Sequence, residues 1–446
     1  MASTPIRTAL MAAWAALHTT QYGFAISSLN GLQSPLTCGE AGHGGGGAHL
    51  VDDGEQSMLR DCIPMSPTQF GLVVSIFTLG GLVGSLGATN LTHHAGRVGT
   101  LRVSATAVLL GSAGVGLANS VGAMIAARIL VGFGCGLATV SVPLFLAEIA
   151  PPSIKRSLGI MNQIFIVIGM LASQSLSFPF AKPYIWRYVL VVSVGLAVLQ
   201  LIGSLWVREP SAKSGSQAGR PNDEEAPLIS GAAEVQNPLT IKELLLSKDP
   251  QVSRGLLVVL VTQLSQQFCG VSPVMYFSTR ILTPVFQSNS RLIALFIIII
   301  KLPITATPAF LIERVGTHPL LLYPTVFMSI SALLLAFGIN NDIQALSVIA
   351  ILSFVIAFSV GLGPVTWVVP AEVMPKHAVT AAGSVGVALN WSANFCMSAA
   401  FLPLQQWMSG GKDSGEGNIF FVLAVTCLMA VLAMRVAFGL RDKVEA

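Results

Sequence analysis

The sequence predicts an all-α membrane protein of twelve transmembrane helices arranged as two six-helix bundles. Three observations predict it. Of 446 residues, 53% are hydrophobic and only 10% charged, against roughly a quarter charged in an ordinary soluble protein, and mean hydropathy is +0.73. About twelve stretches reach the roughly 20 apolar residues needed to cross a hydrocarbon core of about 30 Å. A polar segment, 208–253, divides these stretches six and six.

The first span, 8–29, is read as a span and not a leader, since no small-residue cleavage site followed by a polar mature region appears. Spans 66–90 and 100–119 flank a turn containing "RVGT" at Arg97, and 122–147 closes on "EIAPP" at Glu148. Spans 157–180 and 187–207 complete the first half, 1–207. The 208–253 segment is rich in Gly, Ser, Ala and Pro and too polar to bury, which predicts a largely disordered cytosolic linker. The second half, 254–446, opens with span 254–282, which carries "QLSQQ". Span 291–312 holds Lys301 directly after four isoleucines, and a second "RVGT" at Arg314 precedes span 319–339. Span 343–370 leads to "EVMP" at Glu372, and 379–405 and 417–438 end the series. Gly and Pro within these spans are tolerated where neighbouring helices re-satisfy the backbone. The paired "RVGT" and acid-proline motifs recur at nearly one offset, a weak internal repeat of the two halves.

Basic residues in short loops favour the cytoplasmic side. Arg97, Arg102, Lys155, Arg156 and Lys376 lie in alternate loops, while the first loop holds Glu40, Asp52, Asp53, Glu55 and Asp61 against Arg60. Both termini are therefore expected in the cytosol. The net charge of +4 is a topology signal and gives no reason to expect a nucleic-acid partner. Cys38 and Cys62 share the outward loop, and oxidising compartments preserve disulfides, so a bridge between them is expected. Cys135, Cys269, Cys396 and Cys427 fall within apolar spans and read as small buried hydrophobes. His93 and His94 lack a third ligand nearby, so no metal site and no cofactor is expected. No nucleophile, base and orienter fall into a catalytic pattern, so an enzyme is not expected.

Three stretches, "RILVGFGCGLATVSVPLFLAEIAPPSIKRSLGIMNQIFIVIGM", "QLSQQFCGVSPVMYFST" and "GLGPVTWVVPAEVMPKHAVTAAGSVGVALNWSANF", resemble the sugar-porter branch of the major facilitator superfamily, which includes facilitative glucose transporters. The resemblance implies two bundles working by alternating access and a small sugar or sugar-like solute. It assigns sugar hydrogen bonding to Gln163, Gln266 and Gln267, with Trp367, Asn390, Trp391 and Asn394 completing the cavity and Ser272 and Lys301 at two cavity positions where the family has asparagine. Amide side chains donate and accept, which suits hydroxyls. The bland alternative is that such polar residues only glue helices together. Gating is implied for Arg97, Arg128, Glu148, Lys155, Glu313, Arg314 and Glu372, with Val98, Thr317, His318 and Val379 standing where the family has charged partners. Fewer ion pairs there imply a bias toward the inward-facing state.

The departures matter as much. Ala25 occupies the acidic position of proton-coupled members, so a facilitator is expected; Lys301 stands where the family has a sugar-contacting asparagine, near mid-span with no carboxylate at comparable depth. Ionisable residues so deep usually face a cavity or a partner. Lys301 is read three ways: an uncharged polar liner, a contact for an anionic substrate such as a sugar acid, or a group that exchanges a proton during the cycle. The corresponding functional alternatives are a proton-coupled sugar or organic-anion symporter and a non-transporting nutrient sensor; the few residues after the last span favour a carrier over a sensor. Within the linker, Glu224, Leu228 and Ile229 of "EEAPLI" fit an acidic dileucine signal read by a sorting adaptor. That signal predicts a vacuolar or lysosomal membrane, with the cell surface the alternative. A monomer is expected.

Overall fold

The computed structural model describes residues 5–38, 60–149, 155–183, 185–207, 209, 239–286, 290–375, 377–410 and 415–445. Nearly all of these are helical. Helix α1, Pro5–Ser27, leads through a tight turn at Asn30–Leu32 into the short α2, Gln33–Leu36. Helix α3, Pro67–Leu117, comprises two spans joined at Gly96, where φ is 70° and only glycine is unstrained. Its start is set by a capping box: Gln69 N–H donates to Ser66 Oγ and Ser66 N–H to Gln69 Oε1 at 2.8 Å. Helices α4, Val121–Ile149, α5, Lys155–Phe180, and α6, Tyr188–Gly203, complete the first half.

The short α7, Ile241–Leu246, carries a second capping box, Thr240 with Glu243. After it the helices interrupt themselves near mid-span. Helix α8, Pro250–Phe268, passes to α9, Val271–Phe286, through Gly270 at φ +82°. Helix α10, Ser290–Ile304, is followed by α11, Pro308–Val315, and α12 spans Thr317–Asn340. Helix α13, Gln344–Val360, breaks at Gly361 into α14, Leu362–Val365, and α15, Val369–Val373. Helices α16, Val379–Ser409, and α17, Asn418–Glu445, finish the chain.

Among the described residues nine helical stretches are long and apolar enough to cross a membrane. The shorter apolar α6 and α10, together with α1, bring the set to the twelve spans expected. An even number of spans returns both ends of the helical array to one face, here the terminal face. The opposite face carries the disulfide, Cys38 to Cys62, as the sequence leads one to expect. Trp186 Nε1–H donates to Asp61 O at 2.7 Å and Arg187 to Arg60 O at 2.6 Å, which ties the disulfide segment to the start of α6.

Helices lacking a hydrophobic drive toward each other in lipid associate through close packing at small residues. Here a Cβ on Gly132 or Gly136 of α4 would lie 1.9 Å from Phe77 O or 2.2 Å from Gly81 O of α3, so the two backbones touch. Gly23 of α1 and Gly169 of α5 meet the same way. The halves contact each other through α3 with α16 and α5 with α10. One cysteine departs from expectation: Cys396 is exposed, because its position on α16 points away from the bundle, whereas Cys135, Cys269 and Cys427 are buried.

Candidate functional site

A cavity of about 840 Å³ lies between the halves. Its walls come from the interrupted helices of the second half and from α1, α4 and α5 of the first. It reaches from Tyr22 and Trp391 down to Thr317 and Glu372, and so opens toward the terminal face. Toward the disulfide face the halves are closed. Phe70 lies against Phe277 with ring centroids 6.4 Å apart, Phe277 stacks on Phe401 at 6.1 Å, and all three are buried. Beside that contact, and within the first half, Ser27 of α1 shares a hydrogen bond with Ser173 of α5, and Asn30 Nδ2 donates to Gln174 Oε1 at 3.3 Å.

Gln163, Gln266, Gln267, Ser272, Lys301, Trp367, Asn390, Trp391 and Asn394 all line this cavity. Four of them form one network. Asn390 Nδ2–H donates to Gln266 Oε1 at 2.8 Å and to Gln263 Oε1 at 2.9 Å, while its Oδ1 accepts from Gln267 Nε2 at 3.0 Å. Ser272 Oγ–H donates to Gln267 Oε1 at 2.7 Å. Gln266 Nε2 spends both hydrogens on the backbone, donating to Leu362 O at 2.8 Å and Gly363 O at 2.9 Å beside the α13–α14 break. Asn394 Oδ1 accepts from Tyr276 at 3.4 Å and Ser398 at 3.1 Å. Trp391 is buried against Tyr22 and Phe77 at the floor, and Trp367 is 47% exposed to the open side. The arrangement offers a neutral polyol donors and acceptors in exchange for contacts the amides otherwise make with each other.

Lys301 is buried, and its Nζ lies 3.8 Å from Met275 Sδ and 5.7 Å from the centre of the Phe358 ring. Tyr22, Met275, Tyr276 and Phe358 also line the cavity and were not singled out from the sequence. Met275 and Tyr276 follow Ser272 by three and four residues, the helical spacing that shares a face, and that signal was available. Tyr22 carried none.

The gating set is dispersed. Glu372 accepts a hydrogen bond from the Thr317 hydroxyl at the cavity mouth, so the neutral residue that replaces a charged partner still engages the carboxylate. Arg97 lies beside Gly96, where the exposed Glu209 carboxylate accepts from Arg97 N–H and, at 3.0 Å, from Val98 N–H, capping the second half of α3. Arg314 is exposed in the last turn of α11. Arg128 sits elsewhere, buried within the first half, where its guanidinium donates to Ala25 O at 3.1 Å and lies 4.8 Å from the Phe77 ring centre. Glu148, Lys155 and Glu313 are helical, but their side chains lie outside the described structure, as do Glu224, Leu228 and Ile229 altogether.

Known proteins agree with this architecture. Over 430 residues the chain is 28% identical to vacuolar protein sorting-associated protein 73 of Saccharomyces cerevisiae, covering 89% of this chain and 87% of that one. It is 28% identical over 365 residues to the facilitated glucose transporter member 3 of solute carrier family 2 from Rattus norvegicus, covering 75% and 73%. The fold matches a D-xylose-proton symporter with TM-score 0.74 at 19% identity, covering 95% of this chain and 96% of that chain. It also matches the inward-open conformation of the xylose transporter from E. coli with TM-score 0.71 at 18% identity, covering 95% and 94%. With its residues 7–439 matching the family model described as sugar (and other) transporter, the chain belongs to that family, on the major facilitator fold.

Proposed function

We propose that this transporter moves a sugar-like polyol down its gradient by rocking the units 1–207 and 254–446, joined by the linker 208–253, around the central cavity. The observation that carries this reading is the amide network of Gln266, Gln267 and Asn390, fronted by Ser272 and Asn394 in a cavity that both halves line. With the disulfide face sealed by Phe70, Phe277 and Phe401, solute enters from the terminal face in this conformation. Binding energy that differs between the two facing states shifts their populations, and no covalent step is needed. Ala25, which offers no proton carrier in α1, supports facilitation without coupling. The basic loops on the terminal face support cytosolic termini. The similarity to a yeast protein named for vacuolar sorting, together with "EEAPLI", supports a vacuolar or lysosomal membrane and an adaptor that reads the linker.

The test is counterflow of labelled neutral sugars and sugar acids into proteoliposomes holding the purified full-length protein. Saturable uptake that falls in Gln267→Ala is the expected result. Folded protein that moves none of the panel would refute the proposal.

A further inference from the structure

Lys301 is 4% exposed and lines the cavity. Among the described residues no oxygen accepts from its Nζ, whose neighbours are the Met275 thioether and the Phe358 ring face. Both are weak partners for an ammonium, and a buried charge without a full partner is costly. The described carboxylate on the cavity wall, Glu372, stands at the open mouth and is taken by Thr317. Ser272, Gln267, Tyr276 and Asn394 line the same cavity as the lysine, and they donate and accept but carry no charge. Met275 lies three residues beyond Ser272 on α9, about one helical turn of roughly 5 Å along the same face. Lys301 therefore meets α9 one turn beyond Ser272, in the same cavity that the amide network lines.

Resting on the polyol reading above, we infer that the solute is a sugar acid, its hydroxyls on the amides and its carboxylate on Lys301. A single lysine matches a monoanion. A phosphate dianion would keep uncompensated charge and calls for the forked donors of arginine. The empty carrier then returns with a positive site and the loaded one travels with that site neutralised, so each cycle moves one negative charge. Transport must respond to membrane potential.

The experiment uses the full-length protein in proteoliposomes with potassium gradients clamped by valinomycin, and labelled glucose, galactose, xylose, glucuronate, galacturonate and gluconate. An inside-positive potential should accelerate uptake of at least one acid and leave the neutral sugars unchanged. In Lys301→Asn the ratio of acid to neutral-sugar uptake should fall roughly tenfold or more, the scale of a lost charged hydrogen bond, and Lys301→Arg should retain part of it. Should the variants fail to fold, the wild-type potential response and competition by the acids decide alone. Neutral-sugar uptake that no acid inhibits and no potential alters overturns the inference while leaving the transport reading intact. A folded protein that moves neither class overturns both.

Discussion

Asn390 is expected to matter more for holding the site together than for touching solute. Its amide has three side-chain partners, Gln263, Gln266 and Gln267, at 2.8–3.0 Å. A neutral hydrogen bond contributes a net of about 1 kcal/mol. Asn390→Ala therefore loses about 3 kcal/mol if nothing replaces the bonds, and about 1.5 kcal/mol if cavity water satisfies half of that loss. Ser272→Ala, which removes one hydroxyl donor to Gln267 at 2.7 Å, should lose about 1 kcal/mol or less. Equilibrium unfolding of both variants in mixed micelles of rising SDS fraction, without ligand, measures the difference. The freed Gln266 and Gln267 amides should also lose their fixed orientation, raising the transport KM of Asn390→Ala about tenfold, equivalent to about 1.4 kcal/mol. Wild-type unfolding in Asn390→Ala, or a greater loss in Ser272→Ala, would refute the network reasoning.

Three further outcomes are expected. Gly136→Leu should abolish the monodisperse protein on size exclusion, because its Cβ would lie 2.2 Å from Gly81 O, whereas Gly87→Leu, with nothing within 4 Å, should not. Replacing Cys38 and Cys62 by alanine removes a cross-link of sequence separation 24; chain entropy sets the loss at about 3.5 kcal/mol, read from the same unfolding titration, and an unchanged midpoint would contradict it. Glu243, outside the membrane spans, has its carboxyl held below its ordinary value of 4.5 by hydrogen bonds from the Thr240 backbone and hydroxyl. A depressed acid stabilises above its unfolded value and loses that contribution as pH falls through the lower folded one. Hydrogen-exchange protection along α7, taken relative to the intrinsic amide rate at each pH, should thus fall below about pH 4.5 in wild type and show no such step in Glu243→Gln.

The spans were legible because lipid imposes one requirement, length and apolarity, that sequence displays directly. The interruptions of the second half were not, since Pro and Gly inside a span are equally compatible with an unbroken helix. Lys301 stood out as an anomaly, and the structure supplies what it faces. Gln266 was read as a sugar contact, but its Nε2 donates to the carbonyls of Leu362 and Gly363, partners nearly a hundred residues away that no local pattern announces. Arg128, to which the resemblance gave a gating role, has its guanidinium held inside the first half by backbone carbonyls from α1 and α3, partners equally invisible to local pattern.

Gln266 thus serves two masters, the cavity and the break at which α13 becomes α14. A lineage that altered this glutamine to suit a new solute would disturb the bend in the same stroke, so the position is closed to gradual change. Among the described residues Ser272 and Lys301 make no hydrogen bond to that bend. Selectivity has room to diversify at those two addresses while the machinery that moves the solute is inherited whole.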